Sequence, residues 1–425
     1  MADRVFALID CNCFYCSCER LFRPDLARTP IVVLSNNDGC VVSRTPEAKA
    51  LGVKMGEPWH QIRHRFTAAG GRAFSSNYAL YGDVSERVMT VLERLLPQIE
   101  VYSIDEAWGL VSGMQVDLES FGRKIRAEVL ACTGIPVGVG FGPTKTLGKL
   151  ANYAAKRWQK QTGGVVSICD PVKRDKLLRA VDLSEVWGVG RRLTERLQAQ
   201  GIRTAWDLAQ ADAWTLRQQF SVVLERTARE LRGISCLDLE DAAPPKQEIC
   251  CSRAFGERQT ELAPIKEAVA TYAARAAEKL RAQGSVCKSV RVAIRTGFFN
   301  PNEPKFAQGI LHELPYPTDD TRIIVQAALA ALERIYRPGF AFAKAEILLV
   351  DLRQRGEFTD DMFAATQPAA AESVMKVLDS INARWGRGTL RPGGVPATPA
   401  WGMKQEMLSQ SYTTRVDQLW CVPAK

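Results

Sequence analysis

The stretch that most limits how this chain can fold is Leu237–Pro245, which is acidic and closes on Ala242-Ala243-Pro244-Pro245. Proline lacks the N–H that helices and central strands need, and it pushes the residue before it toward extended backbone. No helix or strand runs through such a segment, so it reads as a linker (236–245) and the 425 residues divide at least once. At roughly 100–200 residues per domain, two to four domains are expected.

Upstream of the linker, short apolar runs alternate with helical patterns. Val5–Ile9, Ile31–Leu34, Glu100–Ile104, Trp108–Val111 and Pro136–Phe141 read as strands, whereas Glu47–Leu51, Ser85–Leu96 and Leu118–Cys132 read as helices. A basic helix is expected over Lys145–Trp158, then a strand-poor helical region over Pro171–Gly233. Downstream, Glu248–Phe255, Pro264–Gln283, Ser289–Thr296, Thr321–Tyr336 and Ala343–Leu349 make a strand-helix-strand-helix-strand pattern. The class is α+β and multidomain. Beyond Asp351, the glycines and prolines from Gly386 to Pro399 suggest irregular chain.

Composition removes several function classes. No apolar run approaches the roughly 18 residues of a membrane helix, and Val5–Ile9 is too short for a signal peptide, so a soluble, cytoplasmic protein is expected. The net charge is +9, and Lys145–Ala205 alone holds 13 bases against 5 acids, the electrostatic footprint of a polyanion binder. The 12 cysteines accompany no export signal and should be thiols. Cys11, Cys13, Cys16 and Cys18 fall within eight residues, whereas zinc sites usually separate their ligand pairs by a longer loop, so small buried apolar side chains are expected there. Only His60, His64 and His312 exist, which argues against histidine-based hydrolysis. His60 and His64, one turn apart, suit a solvated helix face.

Asp10 ends the first expected strand, and Asp105-Glu106 ends another. Carboxylates there are costly unless solvated, paired or bound to a cation. Adjacent strand residues point to opposite faces, so Asp105 and Glu106 reach one site only if the chain bends, and a hairpin between Ile104 and Trp108 would supply that. Three carboxylates on two strands can hold two Mg²⁺ ions for phosphoryl transfer. A turn aspartate and an exposed edge pair would look the same. The run Gly138-Val139-Gly140-Phe141-Gly142-Pro143-Thr144-Lys145 invites a phosphate-loop reading, but from Gly142 it has one residue too many before Gly148-Lys149, and Leu150 follows, so a P-loop ATPase is a poor alternative. Trp187-Gly188-Val189-Gly190-Arg191-Arg192 looks like the hairpin of a helix-hairpin-helix, with Gly188 and Gly190 letting N–H groups approach a DNA phosphate and Arg191 and Arg192 adding charge. A plain helix-ending glycine turn is the alternative.

Asp10 is followed by Asn12, Phe14 and Tyr15; then come Ser35–Arg44, Glu47–Gly56, Ser75-Ser76-Asn77-Tyr78, Tyr102-Ser103-Ile104-Asp105-Glu106-Ala107 and Val137–Ala151. In this order and spacing the chain, from Val5 to Gln418, resembles the Y-family, or translesion, DNA polymerases, in the branch that supplies the catalytic subunit of bacterial DNA polymerase V. The resemblance implies a right-hand polymerase, with a ferredoxin-like palm (1–20 and 75–170), small fingers (21–74), a helix-hairpin-helix thumb (171–235), an α+β little finger (246–350) and a partner-binding tail (351–425). It implies that Asp10, Asp105, Glu106 and the main-chain carbonyl of Cys11 hold two Mg²⁺ ions. Tyr15, with Phe14 beside it, would pack under the incoming sugar and exclude ribonucleotides. Ser43, Lys49 and Lys156 would lie near the triphosphate. Many members place a Tyr and an Arg where this chain has Pro46 and Lys49, and lysine lacks arginine's bidentate fork. Gly188, Gly190, Arg191, Arg192 and Arg253 would contact DNA, while Arg275, Lys279 and Arg281 suit a solvated helix face. The implied activity is primer extension across damaged bases in the SOS response, with primer-template DNA and dNTP as substrates and a UmuD-type dimer and RecA as partners. The family's sliding-clamp peptide, usually Gln-Leu-x-Leu-Phe, is represented only by Thr359–Phe363, so clamp contact through Met362 and Phe363 is a further expectation. The rival from another class is a catalytically inactive DNA-binding scaffold, which would need neither the carboxylates nor Tyr15.

Overall fold

The computed structural model describes residues 4–240, 244–354 and 367–419. They form two compact units: the described parts of 1–35, 39–243 and 407–425, and those of 36–38 and 244–406. The clamp segment with Met362 and Phe363 lies outside the described residues.

The first unit is built on a five-stranded sheet of order β5-β6-β1-β7-β8. Its strands are β1 (Phe6–Cys11), β5 (Gln98–Val101), β6 (Glu106–Leu110), β7 (Val137–Gly142) and β8 (Val165–Ser167). β1 pairs antiparallel with both β6 and β7, and β7 runs parallel to β8. As a central strand, β1 is apolar on both faces. Ala7 and Ile9 enter one core with helices α1 (Phe14–Leu21), α4 (Tyr78–Leu95) and α5 (Leu118–Thr133), whereas Phe6 and Leu8 pack with Trp108 on the other face. A three-stranded sheet, β3-β2-β4, joins β2 (Ile31–Leu34), β3 (Val41–Arg44) and β4 (Arg72–Ser75), and carries α2 (Pro46–Ala50) and α3 (Trp59–Ala68). His60 and His64 are exposed on α3.

The glycines of β7 position α6 (Lys145–Arg157). A Cβ at Gly140 would stand 2.2 Å from the Asn152 nitrogen and 2.6 Å from the Gly148 oxygen. The strand is bare on that face so that the helix backbone can lie against it. Asn152 ties the two together, donating to the Gly138 carbonyl at 2.9 Å. Residues 138–142 of the run that invited a phosphate-loop reading therefore belong to a fully buried strand, and Lys145 opens α6. After α7 (Gln159–Thr162), five short helices share one core: α8 (Pro171–Ala180), α9 (Arg191–Gln198), α10 (Ala205–Gln210), α11 (Ala213–Gln219) and α12 (Val222–Leu231).

The second unit is a four-stranded antiparallel sheet, β11-β10-β12-β9, formed by β9 (Ile249–Gln259), β10 (Ser285–Thr296), β11 (Ala307–Thr318) and β12 (Phe342–Gln354). Helices α13 (Leu262–Ala282) and α14 (Thr321–Ile335) cover one face. The expected α+β class holds, with four corrections. β11 is an additional strand. The tail holds helix α15 (Ala369–Trp385), which the later glycines and prolines do not interrupt. Arg281 is no solvated residue: its side chain, 8% exposed, is paired with Asp379 of α15 at 2.6 Å. Helix α4 starts at Tyr78, where Asn77 caps it by accepting from the Leu80 N–H at 3.3 Å, rather than at Ser85.

Candidate active site

The bend that brings the carboxylates together falls earlier than the expected Ile104–Trp108 hairpin. β5 stops at Val101 and β6 already begins at Glu106, so the turn is Tyr102–Asp105. Tyr102 and Ser103 both donate backbone N–H groups to the Glu106 carbonyl at 3.1 Å. The Ser103 hydroxyl accepts from the Asp105 and Glu106 N–H groups at 3.2 and 3.1 Å and donates to Asp105 Oδ1 at 2.7 Å. Asp10 and Glu106 are direct partners across the β1–β6 ladder, and Cys11 donates its N–H to the Asp105 carbonyl at 2.8 Å. Both carboxylates of the Asp105-Glu106 pair thus lie at the end of β1, beside Asp10.

Helix α6 faces them with a row of lysines. Lys156 Nζ lies 2.5 Å from Asp10 Oδ2, Lys149 Nζ 3.0 Å from Glu106 Oε2, and Lys145 Nζ 2.6 Å from Glu100 Oε2. Lys149 also sits 4.8 Å from the centre of the Tyr102 ring and 5.0 Å from that of Trp187, so one ammonium meets a carboxylate and two aromatic faces. Burial pushes the Asp10 carboxyl up to about 7; Lys156 opposes this, and the nearby Glu106 and Asp105 charges add to it. Burial likewise pushes the Cys11 thiol up.

The donors that the resemblance implies, three carboxylates and the Cys11 main-chain carbonyl, would be a hard set, the chemistry a magnesium ion takes. Mutual repulsion among partly buried carboxylates is what a divalent cation relieves, and here two lysines supply the balancing charge. Among the described residues, no three His, Cys, Asp or Glu side chains converge tightly enough to cage an ion in this arrangement. The donors suit a cation by chemistry and location, with the Lys156 and Lys149 ammonium groups as its competitors. Cys16 and Cys18 are buried in the core with Cys11, and Cys16 donates to the Ile31 carbonyl at 3.5 Å.

Cys13, in the left-handed region at φ 48°, turns the chain from β1 into α1. Phe14 and Tyr15 follow at once. Phe14 is buried; Tyr15 is half-buried, stacked on Tyr81 at 4.5 Å and 15°, with Tyr78 edge-on at 6.1 Å. Burial raises the Tyr15 phenol, so it stays neutral. Ser43 comes close, its Oγ accepting from the Cys16 N–H at 3.4 Å. Lys49 stands exposed on α2.

The glycine hairpin precedes α9. Gly188 is left-handed at φ 86°, Gly190 caps the helix, and Arg191 is 92% exposed. Trp187 of this hairpin reaches Tyr102 at 6.0 Å and Trp108 at 6.5 Å between ring centres, joining the hairpin to the carboxylate turn. In the second unit, Arg253 is exposed on edge strand β9 at the parity of core-facing Cys251 and Phe255. The open face of that sheet instead gathers Arg291, Arg295 and Lys344 around a shallow concavity. Sequence reasoning missed those three and Lys149; the alternation Arg291-Val292-Ala293-Ile294-Arg295, basic on one face and apolar on the other, carried the signal for the first two.

Comparison with known proteins shows what the whole chain is similar to. The impB/mucB/samB family matches residues 9–153, that family's C-terminal domain matches 246–362, and a domain of unknown function matches 372–422. Protein UmuC of Salmonella typhimurium strain LT2 is 49% identical over 418 residues, 98% of this chain and 99% of the relative. Protein ImpB of Salmonella typhimurium is 48% identical over 97% of this chain and 98% of its own length. Among solved structures, a Y-family DNA polymerase chimera superposes with a TM-score of 0.64 at 19% identity, over 83% of this chain and all of its own.

Proposed function

Because the chain belongs to the impB/mucB/samB family, and so to the Y-family DNA-directed DNA polymerases of translesion synthesis, we propose that Asp10, Asp105, Glu106 and the Cys11 carbonyl are its catalytic metal site. The observation that carries this reading is the β1–β6 ladder, which makes Asp10 and Glu106 partners with Asp105 bonded to Cys11 beside them. The site would take two Mg²⁺ ions, which when bound activate the primer 3′-hydroxyl and offset charge on the leaving pyrophosphate. The carboxylates orient that site, and the Ser103 hydroxyl fixes Asp105. Lys156, once displaced from Asp10, and Lys49 would contact the triphosphate, with Ser43 near it. Tyr15 and Phe14 form the floor under the sugar, and the Tyr15 ring rejects a 2′-hydroxyl by size.

The sheet of β1 and β5–β8 acts as the palm (1–20 and 75–170), with fingers at 21–74, thumb at 171–235, linker at 236–245, little finger at 246–350 and tail at 351–425. Gly188, Gly190, Arg191 and Arg192 grip the duplex by its phosphates; within the second unit Arg253 does the same, and Arg291, Arg295 and Lys344 offer that unit a basic patch around Glu346. A role in the SOS response, with a UmuD-type dimer, RecA and the sliding clamp, follows from the likeness to UmuC. No described helix is long and apolar enough to cross a membrane.

Primer extension tests the metal reading. Asp105→Asn with Glu106→Gln should abolish extension while DNA affinity persists, because lost charge at such a site forfeits several kcal/mol of transition-state stabilisation. Near wild-type extension by the double variant would refute it.

A further inference from the structure

After the second unit, the chain returns to the first at Met407, within the stretch that matches a domain of unknown function. There it pairs with the end of β4: Ser75 donates its N–H to the Met407 carbonyl at 3.0 Å, and Met407 donates to the Ser75 hydroxyl at 3.0 Å. Asn77, besides capping α4, donates its amide to the Ser409 carbonyl at 3.2 Å, the Ser409 hydroxyl at 3.0 Å and the Gln410 carbonyl at 3.3 Å. The Ser409 hydroxyl in turn donates to Glu19 Oε1 at 3.0 Å, and the Tyr81 hydroxyl donates to the same oxygen at 2.6 Å.

Glu19 is the unusual member. It is 1% exposed, and its second oxygen, Oε2, is buried with no hydrogen-bond partner. A carboxylate is expensive to bury on these terms, and a hydrophobic residue would fill the space at less cost. What Glu19 gains is geometry. It stands one helical turn after Tyr15 on α1, where residues i and i+4 share a face. It anchors Tyr81, and Tyr81 is the ring on which Tyr15 stacks. Tyr78, which meets the Tyr15 edge, is the first residue of the helix that Asn77 caps. Two connected routes therefore run from the returning segment to the Tyr15 ring, one through Glu19 and Tyr81, the other through Asn77 and Tyr78.

We propose that Met407–Gln410 is a positioning strap for Tyr15: Ser409, acting through Glu19 and Tyr81, fixes the ring that discriminates deoxyribonucleotides from ribonucleotides. This gives the segment a role in substrate specificity, and it rests on the reading of Tyr15 as the sugar gate. Ser409, Glu19 and Tyr81 are positioning residues; none of them needs to touch the nucleotide.

The test is primer extension by the full chain, with kcat/KM measured separately for a deoxynucleotide and the matching ribonucleotide. Ser409→Ala removes the hydroxyl and should raise relative ribonucleotide use roughly tenfold, the scale of one hydrogen bond to a charged group, with deoxynucleotide turnover within about twofold of wild type. Ser409→Thr keeps the hydroxyl and should restore discrimination. In a Tyr15→Ala background, Ser409→Ala should add nothing, since the ring it positions is gone. If Tyr15→Ala relaxes sugar selection but Ser409→Ala does not, the strap is refuted and the gate stands. If Tyr15→Ala leaves selection unchanged, the gate reading fails and takes the strap with it. Equal losses with both nucleotides in Ser409→Ala would mark a merely structural contact and also overturn the proposal.

Discussion

Replacing Glu19 by Gln isolates the cost of the buried carboxyl. Burial pushes this group up from 4.5 to about 7, against the hydrogen bonds from Tyr81 and Ser409 that favour its charged form. Between those two values the folded protein keeps a proton that the unfolded chain has released. Stability therefore falls as pH rises from about 4.5 to about 7 and levels off above, because the slope of unfolding free energy with pH is negative wherever the folded state binds more protons. At about 1.4 kcal/mol per pH unit, the full displacement corresponds to about 3 kcal/mol. Gln is isosteric, can still accept from Tyr81 and Ser409, and does not titrate. The difference in stability between Glu19→Gln and wild type should therefore be smallest near pH 4.5 and shift by up to about 3 kcal/mol in the variant's favour by pH 8. The assay is urea unfolding at intervals across that range, read by hydrogen exchange in peptides from α1 and α4 so that only the first unit is followed. Parallel stability profiles for the two proteins would show that Glu19 titrates normally and would remove the argument for its burial cost.

Two further outcomes are expected. Gly140→Ala places a methyl where backbone atoms stand 2.2 and 2.6 Å away, so α6 must lift off β7; the loss should exceed about 4 kcal/mol, the range reserved for severe core disruption, and appear as insoluble or protease-sensitive protein. Trp187→Ala removes one wall of the Lys149 site and, at about 1–2 kcal/mol for a shielded cation–π contact, should lower catalytic efficiency roughly tenfold, with Trp187→Phe recovering most of it in the same extension assay.

The patterns that were readable in the sequence are those set by local periodicity. The apolar positions of Leu118–Cys132 repeat with helical period, and Val5–Ile9 is a short apolar run that the fold buries on both faces as β1. β11 escaped notice because it is an edge strand: its outer side is exposed, Pro315 and Pro317 lie within it, and an edge tolerates both. Helix α15 was hidden by the glycines that follow it. At the site, Asp10, Asp105 and Glu106 drew notice as costly strand-end carboxylates and were assigned through the resemblance; Lys149 did not stand out, and Lys156 was named for the triphosphate rather than as the partner of Asp10. Lys156 and Asp10 are far apart in sequence, and nothing local to either reports the other. The same holds more strongly for Glu19 and Ser409, separated by 390 positions. In isolation each is an ordinary polar residue, and only the fold makes them neighbours.

The first unit is assembled from sequence on both sides of the second, and this has a consequence for the nascent chain. Asp10, Tyr15, Glu19, Tyr81, Asp105 and Glu106 all leave the ribosome before the 244–406 stretch of the second unit does, whereas Ser409 emerges after it. At translation rates of roughly 5–20 residues per second, the interval is on the order of tens of seconds. Throughout it the carboxylates and the gate ring can be in place while Glu19 has only the Tyr81 hydroxyl as a donor. A stop codon or a protease cut ahead of Met407 would freeze the molecule in that condition. If the proposed carboxylate site, sugar gate and strap hold, the shortened product would copy DNA with a slackened choice of sugar, so truncation would alter what is written into the strand rather than simply silence the enzyme.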